Sequence, residues 1–119
     1  MTTLTFTGTG QKVLAEAGQH SFARWNLRVT GTFSASFAVR RTVANAANAT
    51  DITGVTLNAG SWITGVYVNE ATNATVDSST TKITAPGLYS VNGGGWWVAI
   101  DCTTYVSGTA VFECVPVAE

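Results

Sequence analysis

Charge is scarce in this chain: Asp, Glu, Lys and Arg together make up only 11% of its 119 residues, against about 25% in an ordinary soluble domain. Much of the surface must therefore be neutral. Six basic residues face seven acidic ones, for a net charge of −1, so there is no electrostatic footprint for nucleic acid or for an anionic membrane surface. Neither is expected as a partner. No apolar run approaches the roughly 18 residues of a membrane-spanning helix, and the opening MTTLTFTGTG has neither the basic nor the apolar region of a secretory signal. The expectation is either a protein made and used without export or the mature form of an exported one.

Histidine is scarcer still. The single His20 would need distant partners to build a Ser-His-Asp triad, and no nucleophile-elbow motif stands behind it. One His with Cys102 and Cys114, twelve residues apart, makes no zinc constellation. The acids are scattered singly; Asp51, Asp77 and Asp101 could meet in space, but nothing in their spacing requires it, and turn or strand-face roles suit them better. Gly93-Gly94-Gly95 lacks the Lys-Ser/Thr and the helix of a phosphate loop. The expectation is no catalytic residue, no metal and no cofactor.

Only two cysteines occur. They flank a turn expected at Ser107-Gly108: a three-residue loop would let Cys102 and Cys114 face each other and bond, whereas a two-residue loop leaves them diagonal. Without an export signal, free buried thiols are favoured.

What the chain does contain is β-forming. Hydrophobic residues reach 45%, and β-branched and aromatic residues come in short runs punctuated by Gly, Asn, Ser and Pro, the spacing of an all-β sandwich or barrel. QKVLAEA, residues 11 to 17, is the best helix-compatible piece, and Gly10 and Gly18 hold it to about two turns. From Phe22 to Thr30, Trp25, Leu27 and Val29 alternate with polar residues; after Thr30-Gly31, Phe33, Ala35, Phe37 and Val39 do the same. These read as a hairpin. Trp62 to Val68 reads as one middle strand with Trp62, Val66 and Val68 on one face and Ile63 and Tyr67 on the other. Leu88–Val91, Trp96–Thr104 and Thr109–Val117 complete the set. Two polar segments, Asn45 to Asp51 and Asn69 to Thr81, read as exposed loops, each with an Asn-Ala-Thr tripeptide, at Asn48 and Asn73. A single β-sandwich domain over residues 1–119, antiparallel and jelly-roll-like, is expected, with room for a flexible N-terminal arm over residues 1–20.

Period two sorts the last two strands. Trp96, Val98, Ile100 and Cys102 share one face with Ala110, Phe112 and Cys114 as core. Trp97, Tyr105, Val111 and Val115 fall on the other face and are expected to form an outward apolar patch, more than a monomer comfortably exposes. Together with Trp62 they are the candidate interface: an aromatic anchor with few charges around it suits a protein contact. A carbohydrate site would need polar neighbours around Trp97, and the expected neighbours are Val, Ala and Thr. Coverage by the chain's own loops is the third reading of that face. Arg40 and Arg41 must project to opposite faces, one tucked under the sheet edge or paired with an acid, or both solvating a strand end.

Several phrases carry a resemblance. FTGTGQ (Phe6 to Gln11), FARWNLRVTGTFSASFAVRRT (Phe22 to Thr42) and TAPGLYSVNGGGWWVAIDCTTYVSGTAVFECVPV (Thr84 to Val117) resemble a small β-sandwich module of tailed-bacteriophage virion structural proteins. About two-thirds of the chain is covered, by turn and strand phrases with no catalytic signature. The sequence departs from that pattern after Arg40-Arg41, where VANAANATD replaces an Asp-Gly-Gly turn leading to a Trp. The resemblance implies a non-enzymatic virion component assembled in the host cytoplasm, a capsid decoration or cement protein or a tail accessory. Its partners would be capsid or other virion proteins and further copies of itself, most simply as a trimer; the alternative is a tail-fibre module binding a glycan or receptor through an exposed Trp.

Overall fold

The computed structural model describes residues 1–15, 22–42, 62–93 and 97–117. Ten strands run in chain order: β1 Thr2–Phe6, β2 Gly10–Val13, β3 Arg24–Thr30, β4 Phe33–Thr42, β5 Ile63–Thr64, β6 Val66–Asn69, β7 Ala74–Asp77, β8 Gly87–Asn92, β9 Trp97–Gly108 and β10 Ala110–Val117. Among the described residues there is no helix. One sheet has the order β1-β10-β3-β8-β6-β7 and the other β2-β9-β4-β5. Stripped of the β6–β7 hairpin, 1-10-3-8 packed over 2-9-4-5 is the strand order of a jelly roll, two Greek keys closed face to face. The antiparallel β-sandwich expected from the sequence is the fold.

The inward residues are those that period two selects. Trp25, Leu27 and Val29 from β3, Phe37 and Val39 from β4, Val98, Ile100 and Cys102 from β9, and Phe112 and Cys114 from β10 lie in one core cluster. Its centre is aromatic: Phe37 of the four-stranded sheet stands 5.1 Å from Phe6 and 4.8 Å from Phe112 of the six-stranded sheet, both edge-on. Edge-to-face contacts of this kind add about 0.5–1.5 kcal/mol to the area they bury. Both thiols are buried and free.

The connections differ from the expected hairpins. β3 and β4 lie in different sheets, as do β9 and β10 and also β1 and β2, so each connection arches across the sandwich. Two of these arches lean on each other. Gly31 (φ 107°) and Gly108 (φ 89°) both occupy the left-handed region, and the Thr109 N–H donates to the Thr32 carbonyl at 3.0 Å. A Cβ on Gly31 would sit 2.3 Å from the Thr109 oxygen and one on Gly108 2.2 Å from the Thr32 oxygen. A two-residue hairpin needs positive φ at both central residues in type I′ and at the first in type II′, whereas in Thr30-Gly31 and Ser107-Gly108 only the second residue has it. The chain therefore changes sheet where the alternation alone suggests a turn within one.

Three further expectations change. Of residues 11 to 17, read as helix-compatible, residues 11 to 13 belong to β2, and β1 and β2 are built into the two sheets instead of forming an arm. The Thr2 hydroxyl donates to the Ala15 carbonyl, and Lys12 Nζ donates to the Thr5 carbonyl at 2.6 Å; a lysine at a sheet edge also discourages pairing with another chain. The run Trp62 to Val68 is two strands in different sheets, split at Gly65, whose N–H donates to the Val39 carbonyl at 2.8 Å. Tyr67 thus enters the core opposite Tyr89, 5.6 Å away and edge-on. Finally, the polar run from Asn69 is folded: Asn73, at φ 56°, closes the β6–β7 hairpin, and the Asn69 and Asp77 side chains accept the N–H groups of Ala71 and Ser79. The Asn45 to Asp51 segment lies outside the described residues.

Candidate functional site

Three faces are available for function: the outward face of each sheet and the sheet edges. On the four-stranded sheet, Val13, Ala99 and Arg40 stand side by side on β2, β9 and β4, with Thr64 of β5 next in register. Although this face points away from the main core, Val13, Ala99 and Trp62 are buried there, and Trp97 packs against them, partly exposed. Trp62 is only 6% exposed, and its indole N–H has no hydrogen-bond partner among the described residues. This is a second, small apolar cluster, with Trp97 at its rim.

The polar part of the same face is closed by charge. Arg40 Nε donates to Asp101 Oδ2 at 2.8 Å, with both side chains largely shielded. Arg41 points to the other side, its guanidinium beside Gly65. Arg40 is thus held in an ion pair, while Arg41, on an interior strand, turns to the opposite face of β4.

The expected interface residues are not brought together. Trp97 and Trp62 share the outer cluster, but Val111 and Val115 lie on β10 in the other sheet. Val111 is partly buried, whereas Val115 is 44% exposed. Tyr105 is displaced for a different reason. The β4–β9 register shifts twice, pairing Phe37 with Cys102 and Ser36 with Thr104, then Ala35 with Tyr105 and Ser34 with Ser107. Thr103 and Val106 are the extra residues. A bulge reverses the facing of the residues beyond it, so Tyr105 turns to the core side, packs against the main cluster and donates its hydroxyl to the Gly108 carbonyl at 2.8 Å. Trp96, Gly94, Gly95, His20, Asn48 and Asp51 lie outside the described residues; Asn73 is exposed.

The outward face of the six-stranded sheet was not singled out by sequence patterning. Arg24, Asn26 and Arg28 of β3 stand opposite Asn92, Ser90 and Leu88 of β8, and the β6–β7 turn brings Glu70 over them, its N–H donating to the Leu88 carbonyl at 3.0 Å. Two contiguous open depressions of about 530 and about 500 Å³ result, sharing Arg24 and Glu70. The only sequence signal was the polar half of the β3 alternation, which reads as ordinary solvation.

Both thiols belong to the main core and not to these outward faces. Burial, reinforced by the neighbouring Glu113, pushes the Cys114 thiol up to about 12, and burial followed by the Asp101 charge raises Cys102. Asp77, at the end of β7, is held below the usual carboxylate range by the Ser79 N–H and hydroxyl, and it lies in the other sheet from Asp101 of β9. Among the described residues no three His, Cys, Asp or Glu side chains group to hold a metal ion. Protein-family models, curated proteins and solved structures contain no match to this chain.

Proposed function

We propose that this protein is a non-enzymatic structural component of a tailed-phage virion, a capsid decoration or cement protein that works as a symmetric homo-oligomer, most simply a trimer at a local threefold axis. The observation that carries the reading is the outer cluster of the four-stranded sheet. Trp97 stands partly exposed over Val13, Trp62 and Ala99, with the nearby charges already paired as Arg40 and Asp101. An aromatic rim on a closed apolar floor, with neighbouring charges neutralised internally, suits a protein contact. Among the described neighbours of Trp97, Val13 and Ala99 have no polar side-chain group and Arg40 and Asp101 are paired with each other, which weighs against a Trp-based glycan site. By analogy of fold alone, jelly rolls recur among capsid proteins and lectins; the resemblance in the turn phrases supplies the virion.

Native mass spectrometry at micromolar concentration, with co-sedimentation on assembled heads, tests the proposal. The expected result is a discrete oligomer that binds heads, with both properties weakened in Trp97→Ala while unfolding stays cooperative. A strict monomer that also fails to bind heads would sink it.

A further inference from the structure

We propose that the outward face of the six-stranded sheet, on the opposite side of the sandwich from Trp97, is a binding site for a neutral saccharide. The inference is independent of any place in a particle, since it rests on the chemistry of that face. Four features define it.

The first is a positioned carboxylate. Glu70 is anchored through its own N–H to the Leu88 carbonyl at 3.0 Å, and its Oε2 accepts the hydroxyl of buried Ser90 at 2.6 Å. Its other oxygen has no hydrogen bond to a described residue. The second is an unengaged guanidinium: Arg24 lines both depressions beside Glu70 and forms no ion pair among the described residues. The third is a pair of amides, Asn26 and Asn92, on adjacent strands of the same face. Asn92 stands directly opposite Arg24. The fourth is an apolar wall, Leu88, 58% exposed.

The charges select the ligand class. Arg24, Arg28 and the Met1 ammonium line the depressions together with the carboxylates of Glu70 and Glu113, so charges of both signs are interspersed and no strong single-sign field gathers a polyanion or a polycation. Guanidinium offers only donors, carboxylate only acceptors and each amide both. Neighbouring positions across strands are about 4.8 Å apart and alternate positions along a strand about 6.8 Å. Ring hydroxyls, each a donor and an acceptor, fit such a lattice, and the apolar C–H face of a sugar ring fits Leu88. An extended peptide is a poorer fit. Strand addition needs a free sheet edge, and β3 and β8 are interior strands, each paired on both sides.

Amide chemical-shift perturbation on the full chain, titrated with a panel of neutral oligosaccharides and a matched sulfated and sialylated panel at millimolar concentration, tests the site. At least one neutral member should move resonances of β3, β8 and the turn around Glu70. Affinity should fall by about tenfold or more in Asn92→Ala and in Glu70→Gln, which retains an acceptor for Ser90, about 1.4 kcal/mol each. Both variants should melt like the parent. No perturbation by any neutral saccharide, perturbation centred on Trp97, preference for the anionic panel, or undiminished binding by both variants would each overturn it.

Discussion

Ser78 shows how one side chain can complete an edge. It is fully buried, its hydroxyl donates to the Gly65 carbonyl at 2.6 Å, and its oxygen accepts the Val39 N–H at 3.1 Å. β5 pairs with β4 only at Arg40 and Arg41, and the Ile83 bridge serves Phe37. Between them the Val39 N–H would have no partner. A buried donor left unsatisfied costs about 1–3 kcal/mol, so Ser78→Ala should lose that much in denaturant unfolding. Cys114 offers a second test: with its thiol pushed up to about 12, the thiolate is suppressed and shielded in the native state. Native protein at mildly alkaline pH should react with a disulfide reagent only at its opening rate, and fully once unfolded.

At the scale of elements, the paired arches are the most exacting part of the fold. Gly31 and Gly108 each combine a left-handed φ with a carbonyl oxygen less than 2.5 Å from where a Cβ would sit. Backbone strain of this sort costs about 1–3 kcal/mol by itself, and the clash adds to it. Gly108→Ala should therefore destabilise by at least about 2 kcal/mol in urea unfolding, more than the same change at Gly8, where a Cβ would meet nothing within 4 Å. The bulges of β9 act at this scale too. They decide that Tyr105 faces inward while Val106, an extra residue, is left 70% exposed, and no alternation of residue types announces them.

For the molecule as a whole, stability concentrates where the sheets meet. Phe37 touches Phe6, Phe33 and Phe112 edge-on, so Phe37→Ala should cost about 3–5 kcal/mol, read as a lower urea midpoint with an unchanged slope. The pH response is lopsided. Burial raises Cys102, Cys114, Tyr67 and Tyr89 alike. Each then holds its proton in the folded state after the unfolded chain has released it, so the contribution of these four groups is complete well below their unfolded values of about 9 to 10 and is lost as pH rises toward 12. Urea midpoints measured across that range should decline steadily, and Cys114→Ala should flatten the decline.

The inward set on β3, β4, β9 and β10 was legible because strand periodicity is a local property: side chains alternate whatever the strand pairs with. Lack of helical periodicity and many short β-rich runs sufficed for the sandwich. Which sheet each strand joins was not legible, because Thr30-Gly31, Gly65 and Ser107-Gly108 read alike whether the chain turns back or crosses over. Contacts between distant segments settle it: the Thr109 N–H on Thr32, the Gly65 N–H on Val39. That choice separated Val111 and Val115 from Trp97, and the bulges then turned Tyr105 away. It also assembled Arg24, Asn92 and Glu70, from three separate strands and turns, into one polar face. By itself the sequence determined an all-β, charge-poor domain and most of its core, since burial follows from residue type and alternation. Tertiary structure alone decided the faces, because a face is made of neighbours that the chain brings together only by folding.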